Sequence, residues 1–244
     1  MTRFAKTLLA SALMAGAAAA QAEISANVAL TSDYKFRGVS QTDAQMALQG
    51  GFDFSHESGF YAGTWASNVD SRFFSGDGQA DPQLEVDLYA GFSGESDGIG
   101  YDVGVLRYVY PGYDDSDTTE LYVGGSYGPV SATLYYSNEL NFIGVDESAW
   151  YLNVGAEMEV AEGVSLSASV GYSWGDAWET LGKASGTSED AYFDYSIGVS
   201  GSAAGVDLSL AFVGADDNGK DIFGGNPAEK LTEGKLILTV SKSM

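Results

Sequence analysis

Glu120–Ser137, ELYVGGSYGPVSATLYYS, decides the fold. Side chains along a strand alternate between faces with a period of two. Leu121, Val123, Gly125 and Tyr127 fall on one face of the first half, with Glu120, Tyr122, Gly124 and Ser126 on the other. A two-residue turn at Gly128-Pro129 pairs Tyr127 with Val130, Val123 with Leu134 and Leu121 with Tyr136. Cross-strand partners share a face, so both halves present their apolar residues on the same side. This is an amphipathic β-hairpin, and the rest of the chain repeats its pattern.

Ten further stretches resemble its strands, giving about 12 strands from Ile24 to the end of the chain. The fourth, Gln83–Phe92, sets Leu84, Val86, Leu88, Ala90 and Phe92 against Gln83, Glu85, Asp87 and Tyr89. Phe60–Asn68 has no clear parity. In Ile99–Tyr110 the alternation puts Arg107 on the apolar face; either a bulge shifts the register there or Arg107 lies at headgroup level.

The connections alternate in length. HESG, SGESDG, GP, EVAEG and GSAAG are tight, whereas SDYKFRGVSQTDA, VDSRFFSGDGQAD, PGYDDSDTT, NELNFIGVDES, GDAWETLGKASGTSED and GADDNGKDIFGGNPAEKLTEG are long. In an up-and-down meander all tight turns then lie at one end and all long loops at the other. The expected fold is all-β: a single antiparallel transmembrane β-barrel with short periplasmic turns and long extracellular loops. A secreted β-sandwich or lipocalin-like barrel, apolar inside, shares the alternation. The Gly-, Ser- and Tyr-rich polar face, the aromatics at strand ends and the regular loop asymmetry favour the membrane form.

Residues 1–22 are a separate object. Arg3 and Lys6 precede an apolar Leu8–Ala20, and Ala20-Gln21-Ala22 fits small-x-small cleavage, as in a Sec signal peptide; the apolar run is short for a spanning helix. Residues 23–244 form the barrel. The whole chain has 34 acidic and 11 basic residues, for a formal charge of −23, and losing Arg3 and Lys6 makes the rest more acidic still. Such a surface repels phosphate, so nucleic acid is not an expected partner. The absence of cysteine excludes disulfides and thiolate metal sites; no cofactor is expected.

Asn27–Gln41, Gln49–Phe54, Gly59–Asn68, Glu85–Phe92 and Gly98–Gly112 (NVALTSDYKFRGVSQ, QGGFDF, GFYAGTWASN, EVDLYAGF, GIGYDVGVLRYVYPG) resemble the TorF-family outer-membrane porins of Gram-negative bacteria. The resemblance implies an envelope β-barrel and supplies no catalytic residues.

In a lipid barrel the polar faces must point inward. The expected lumen lining is Asp53, Glu85, Asp87, Asp102, Glu120, Tyr122, Tyr135, Asn153, Glu157, Asp194 and Asp207. Its carboxylates would concentrate cations. Lys35 and Arg37, in the first long loop, are the candidate constriction; contact with anionic headgroups is the alternative. The expected function is passive, cation-preferring diffusion of small solutes or ions. A non-conducting structural or surface-binding barrel competes with it, and a lipid-modifying enzyme is weaker, because His56 is the sole histidine and sits in a tight turn. Asp114–Asp117 and Asp216–Asp221 read as solvated loops, with loose divalent bridging to lipopolysaccharide phosphates as the functional alternative. Outer-membrane lipid and lipopolysaccharide are the expected surroundings, and homo-oligomerisation stays open.

Overall fold

The computed structural model describes residues 22–70, 83–224 and 229–244. The proposed signal sequence and most of the second long loop lie outside these. Twelve strands form a closed antiparallel barrel: β1 (Glu23–Thr31), β4 (Ala47–Ser55), β5 (Phe60–Asn68), β6 (Leu84–Ser96), β7 (Ile99–Val109), β8 (Thr118–Tyr127), β9 (Val130–Ser137), β10 (Ala149–Ala161), β11 (Val164–Trp174), β12 (Ala191–Ala203), β13 (Val206–Ala215) and β14 (Lys235–Ser243). Each pairs with its sequence neighbour, and β1 closes the ring against β14 in the register Leu30↔Val240. Two further strands, β2 (Lys35–Phe36) and β3 (Val39–Ser40), form a separate ribbon inside the first long loop.

The hairpin from β8 to β9 has the register its alternation dictates, Tyr127↔Val130, Val123↔Leu134 and Leu121↔Tyr136. Gly128 takes φ +58° and Pro129 follows it, the glycine-first pattern that suits a right-twisted hairpin.

The apolar faces point outward. Val28, Leu48, Phe52, Leu88, Val103, Leu121, Val123, Val154, Val170, Ile197, Leu210 and Leu238 are all exposed around the ring. A soluble sandwich would bury them. Here they form a continuous apolar belt, with each strand hydrogen-bonded to a neighbour on both sides, as a hydrocarbon environment requires. At the long-loop end the belt finishes in aromatic side chains. Tyr136, Trp150 and Trp174 meet at 4.6 and 6.2 Å between ring centroids, and Tyr172 contacts Trp174 and Phe193 at 5.3 and 4.5 Å. No described helix is long and apolar enough to cross a membrane.

β7 keeps its alternation to the end, so no bulge intervenes at Arg107. Arg107 faces outward near the long-loop rim, where it pairs with Asp117 at 2.9 Å and Thr119 at 2.9 Å. β5 reverses the usual hydropathy. Tyr61 and Trp65 point inward with Gly63 and Ser67, while Ala62, Thr64 and Ala66 face out. Between Phe60 and Asn68 its outer face is made of small residues, which hid its parity.

The long-loop end carries short helices: α1 (Asp176–Ser185), α2 (Asp217–Ile222), α3 (Glu229–Thr232) and two 3-10 turns at Asp114–Ser116 and Asn141–Ile143. Asp216 caps α2 by accepting from the Gly219 amide at 3.0 Å. The aspartate run there is a capped helix rather than the solvated loop its composition suggests.

The orientation of the hairpin is directly testable. Val123→Arg puts a cation on the outward face and should cost about 2–4 kcal/mol if it lies near the bilayer midplane. Thr133→Arg, inward on the paired strand, should cost far less. Urea titration of the protein folded in lipid vesicles reads both.

Candidate functional site

The inward faces divide the lumen into two unlike halves. Toward the tight turns the lining is Asp53, Tyr61, Asp102, Ser126, Thr133, Asn153, Glu157, Ser169 and Ser196, all half-buried. Asp207 sits at that rim, exposed, and accepts from Ser202 at 2.5 Å. It therefore belongs to the turn between β12 and β13 more than to the lumen. Toward the long loops the lining is buried: Glu85, Asp87, Tyr108, Tyr110, Glu120, Tyr122, Tyr135, Tyr151, Tyr192 and Asp194.

What covers this upper half is the first long loop. Tyr34, Lys35, Phe36, Arg37, Val39, Ser40, Gln41 and Thr42 are all buried. The β2–β3 ribbon turns at Arg37 and Gly38, with φ +48° and +81°, the left-handed pair of a tight hairpin. Asp33 secures the base of the loop, accepting from Ser40 at 2.5 Å and Thr42 at 3.0 Å. The ribbon folds into the mouth, and its tip packs against the wall at β12 and β13. A Cβ at Gly38 would lie 2.7 Å from the Gly214 carbonyl and 2.8 Å from the Asp194 Cβ.

Three attachments hold it there. Arg37 Nη2 donates to both Glu120 oxygens, at 2.9 and 2.7 Å, and Tyr108 donates to the same carboxylate at 3.0 Å. Tyr34 and Tyr110 donate to the two oxygens of Glu85 at 2.7 and 2.6 Å. Lys35 Nζ donates to the carbonyls of Gly38, Leu231 and Glu233, at 3.2, 3.0 and 2.6 Å.

The two candidate constriction residues thus behave differently. Arg37 meets an acid across the mouth; Lys35 meets backbone. Neither points to a lipid headgroup, since both are over nine-tenths buried. Burial opposes the Arg37 charge, but Glu120 outweighs it and holds the guanidinium protonated more firmly than usual. Burial pulls the Lys35 ammonium down to about 8, Asp33 offsetting only part of this. The Arg37 charge is therefore fixed, whereas Lys35 gives up its proton as the pH rises through about 8.

Aromatic packing seals the ribbon from above. Phe36 meets Tyr108 and Phe142 at 5.6 and 5.8 Å, and Trp178 meets Tyr192 and Phe223 at 5.1 and 6.0 Å. The void left between Phe36, Val39, Phe142, Trp178 and Tyr192 is only about 10 Å³.

Below the ribbon, tyrosines lie along the wall instead of across the lumen, because glycines in the same row leave them space. Tyr61, Gly91, Gly104 and Tyr122 are in register across β5 to β8. A Cβ on Gly91 would strike the Tyr61 hydroxyl and one on Gly104 the Tyr122 hydroxyl, while the two hydroxyls bond each other. Tyr61 also donates to Asp102 at 2.6 Å. Tyr89 lies over Gly63 to reach Asp53 at 2.5 Å, and Tyr151 lies over Gly171 to reach Asp194 at 3.3 Å. Tyr122, Tyr135 and Tyr151 continue the row at 5.6 and 5.8 Å between centroids. Tyr122 and Tyr135 lie along this wall, and the ribbon packs into the mouth above them.

The structure thus brings together Arg37, Glu85, Asp87, Glu120, Tyr122, Tyr135 and Asp194. Asp53, Asp102, Asn153 and Glu157 lie in the lower half, apart from them. Tyr61, Trp65, Tyr89, Tyr108, Tyr110 and Tyr151 were missed as site residues by sequence reasoning. Tyrosines sharing strand parity with carboxylates, opposite glycines on neighbouring strands, were the available signal. Among the described residues, no group of three or more acidic or histidine side chains is arranged to hold a metal. His56 is exposed in its turn, bonded to Ser58 at 2.8 Å, with no acid attached.

A closed 12-stranded antiparallel barrel with an outward apolar belt and a loop folded into its mouth is a porin-type fold. The structure of the NanC porin aligns with a TM-score of 0.54 at 9% identity, covering 90% of this chain and 99% of that one. The KdgM porin, solved with disordered oligogalacturonate, aligns with a TM-score of 0.54 at 7% identity, covering 92% and 99%. A comparison with curated proteins finds no match. The chain belongs to the Gcw_chp family, described as bacterial proteins of unknown function, whose model matches residues 15–244.

The tyrosine–glycine row makes its own prediction. Gly104→Val should drive a methyl into Tyr122, break its contact with Tyr61 and cost about 1–3 kcal/mol, as overpacking does. The double variant Gly104→Val, Tyr122→Phe should recover only part of this, read by the same urea titration.

Proposed function

We propose that this barrel is an outer-membrane channel for passive diffusion of small solutes, with a preference for cations. The observation that carries the reading is the charge inside. Asp53, Glu85, Asp87, Asp102, Glu120, Glu157 and Asp194 line the wall, and the buried basic side chains among the described residues are Lys35 and Arg37. Asp87 Oδ1 and Asp194 Oδ2 are buried without a hydrogen-bond partner. A low-dielectric passage with excess carboxylates focuses a negative potential and draws cations. A polyanion such as the oligogalacturonate of the KdgM structure suits this lumen poorly. The likeness to the TorF family supports the same assignment. The proposal includes Sec-dependent export guided by residues 1–22 and residence in a bacterial outer membrane, among its lipid and lipopolysaccharide.

A second reading, a non-conducting barrel that binds at the cell surface, draws on the ribbon filling the mouth. Planar-bilayer recording separates the two. The channel reading expects discrete conductance steps and a cation-selective reversal potential in a KCl gradient. Asp87→Asn with Glu85→Gln should shift that potential toward zero. Anion selectivity, or silence even after residues 34–41 are replaced by a glycine–serine linker, would sink it.

A further inference from the structure

Arg37 occupies a cage that looks built for a guanidinium. The group donates to both oxygens of buried Glu120, whose orientation Tyr108 fixes. Its central carbon lies 4.1 Å from the Tyr151 ring centroid and 5.4 Å from that of Tyr135, with the loop's own Phe36 at 4.7 Å. Aromatic faces within about 6 Å attract a cation, most strongly where water is excluded. One donor and one acceptor are left over there. Arg37 Nε has no partner, and neither has Asp194 Oδ2, which is buried beside the loop tip. Glu120, Tyr108, Tyr135, Tyr151 and Asp194 all belong to β7, β8, β9, β10 and β12, the rigid wall. Only Arg37 and Phe36 arrive on the loop.

We propose that these wall residues form a binding site for small solutes carrying a guanidinium group, and that Arg37 is a tethered competitor occupying it while the loop is docked. The inference rests on the channel reading for its physiological role, but the site itself does not need conduction. When the loop withdraws, Glu120 and Asp194 are left without their cation beside the aromatic wall of Tyr135 and Tyr151. An incoming guanidinium supplies that charge and takes up the contacts Arg37 now makes. Solute binding and loop docking then exclude each other, so an arriving solute holds the mouth open while it passes.

Ethylguanidinium, the part of the Arg37 side chain removed in Arg37→Ala, is the probe. Calorimetry on protein folded in detergent should show it binding Arg37→Ala at least tenfold more tightly than wild type, whose cage is filled. It should also bind Arg37→Ala at least tenfold more tightly than the double variant Arg37→Ala, Glu120→Gln. In bilayers, Arg37→Ala should conduct more than wild type, and ethylguanidinium should lower its current more than KCl of equal ionic strength changes it. Equal binding to all three proteins overturns the site. If Arg37→Ala conducts but ignores the probe, the site falls and the channel reading stands. If the probe binds as expected and no variant conducts, the site stands and the channel reading falls. Heat-modifiable mobility confirms that each variant is folded; Arg37→Gln serves if Arg37→Ala does not assemble.

Discussion

Closure of the ring is the constraint on which the rest depends. β1 meets β14 over Asn27–Thr31, and beyond that ladder Ala26 and Met244 exchange backbone bonds at 3.0 and 2.8 Å. A sheet in hydrocarbon cannot leave an edge unpaired, since each orphan amide or carbonyl costs several kcal/mol. Once the ring is closed, strand alternation assigns every side chain to lipid or lumen. The apolar belt and the acidic interior are two results of that one assignment. The carboxylates need not be stabilising in themselves; they are inward because outward is worse.

Inside, the polar groups still have to be satisfied, and tyrosine does most of this. Its hydroxyl reaches over a glycine to an acid one or two strands away, as in Tyr89 to Asp53 and Tyr151 to Asp194. A ring laid flat against the wall bonds the carboxylate without filling the lumen. The same residue type therefore sets both wall stability and bore.

Strand positions were legible in the sequence because they rest on local alternation. Phe60–Asn68 and Val130–Ser137 begin and end where the pattern says, and the pairing of Val123 with Leu134 followed from the turn alone. The failures are also physical. β5 concealed its facing because alanine and threonine suffice against lipid where Tyr61 and Trp65 are needed within. The Arg37–Glu120 pair spans 83 residues, so no period marks it. Entry of the first long loop into the mouth was legible only through Lys35 and Arg37, two cations in an acidic chain; the β2–β3 ribbon itself was not, because SDYKFRGVSQTDA carries no strand alternation. Lys35 ends on carbonyls from a loop near the far end of the chain, a partner that sequence patterns cannot name.

Those distant partners also order assembly in time. The ribbon's contacts join residues 155 and 198 positions apart, Arg37 to Tyr192 and Lys35 to Glu233, and their receptors exist only once β12 through β14 are in place. Contacts that close such long loops are made late, after local hairpins have formed. The ribbon's dock is thus built from strands near both ends of the chain, so it is whole only when the ring is, and a fault anywhere in β12 through β14 is felt in the mouth.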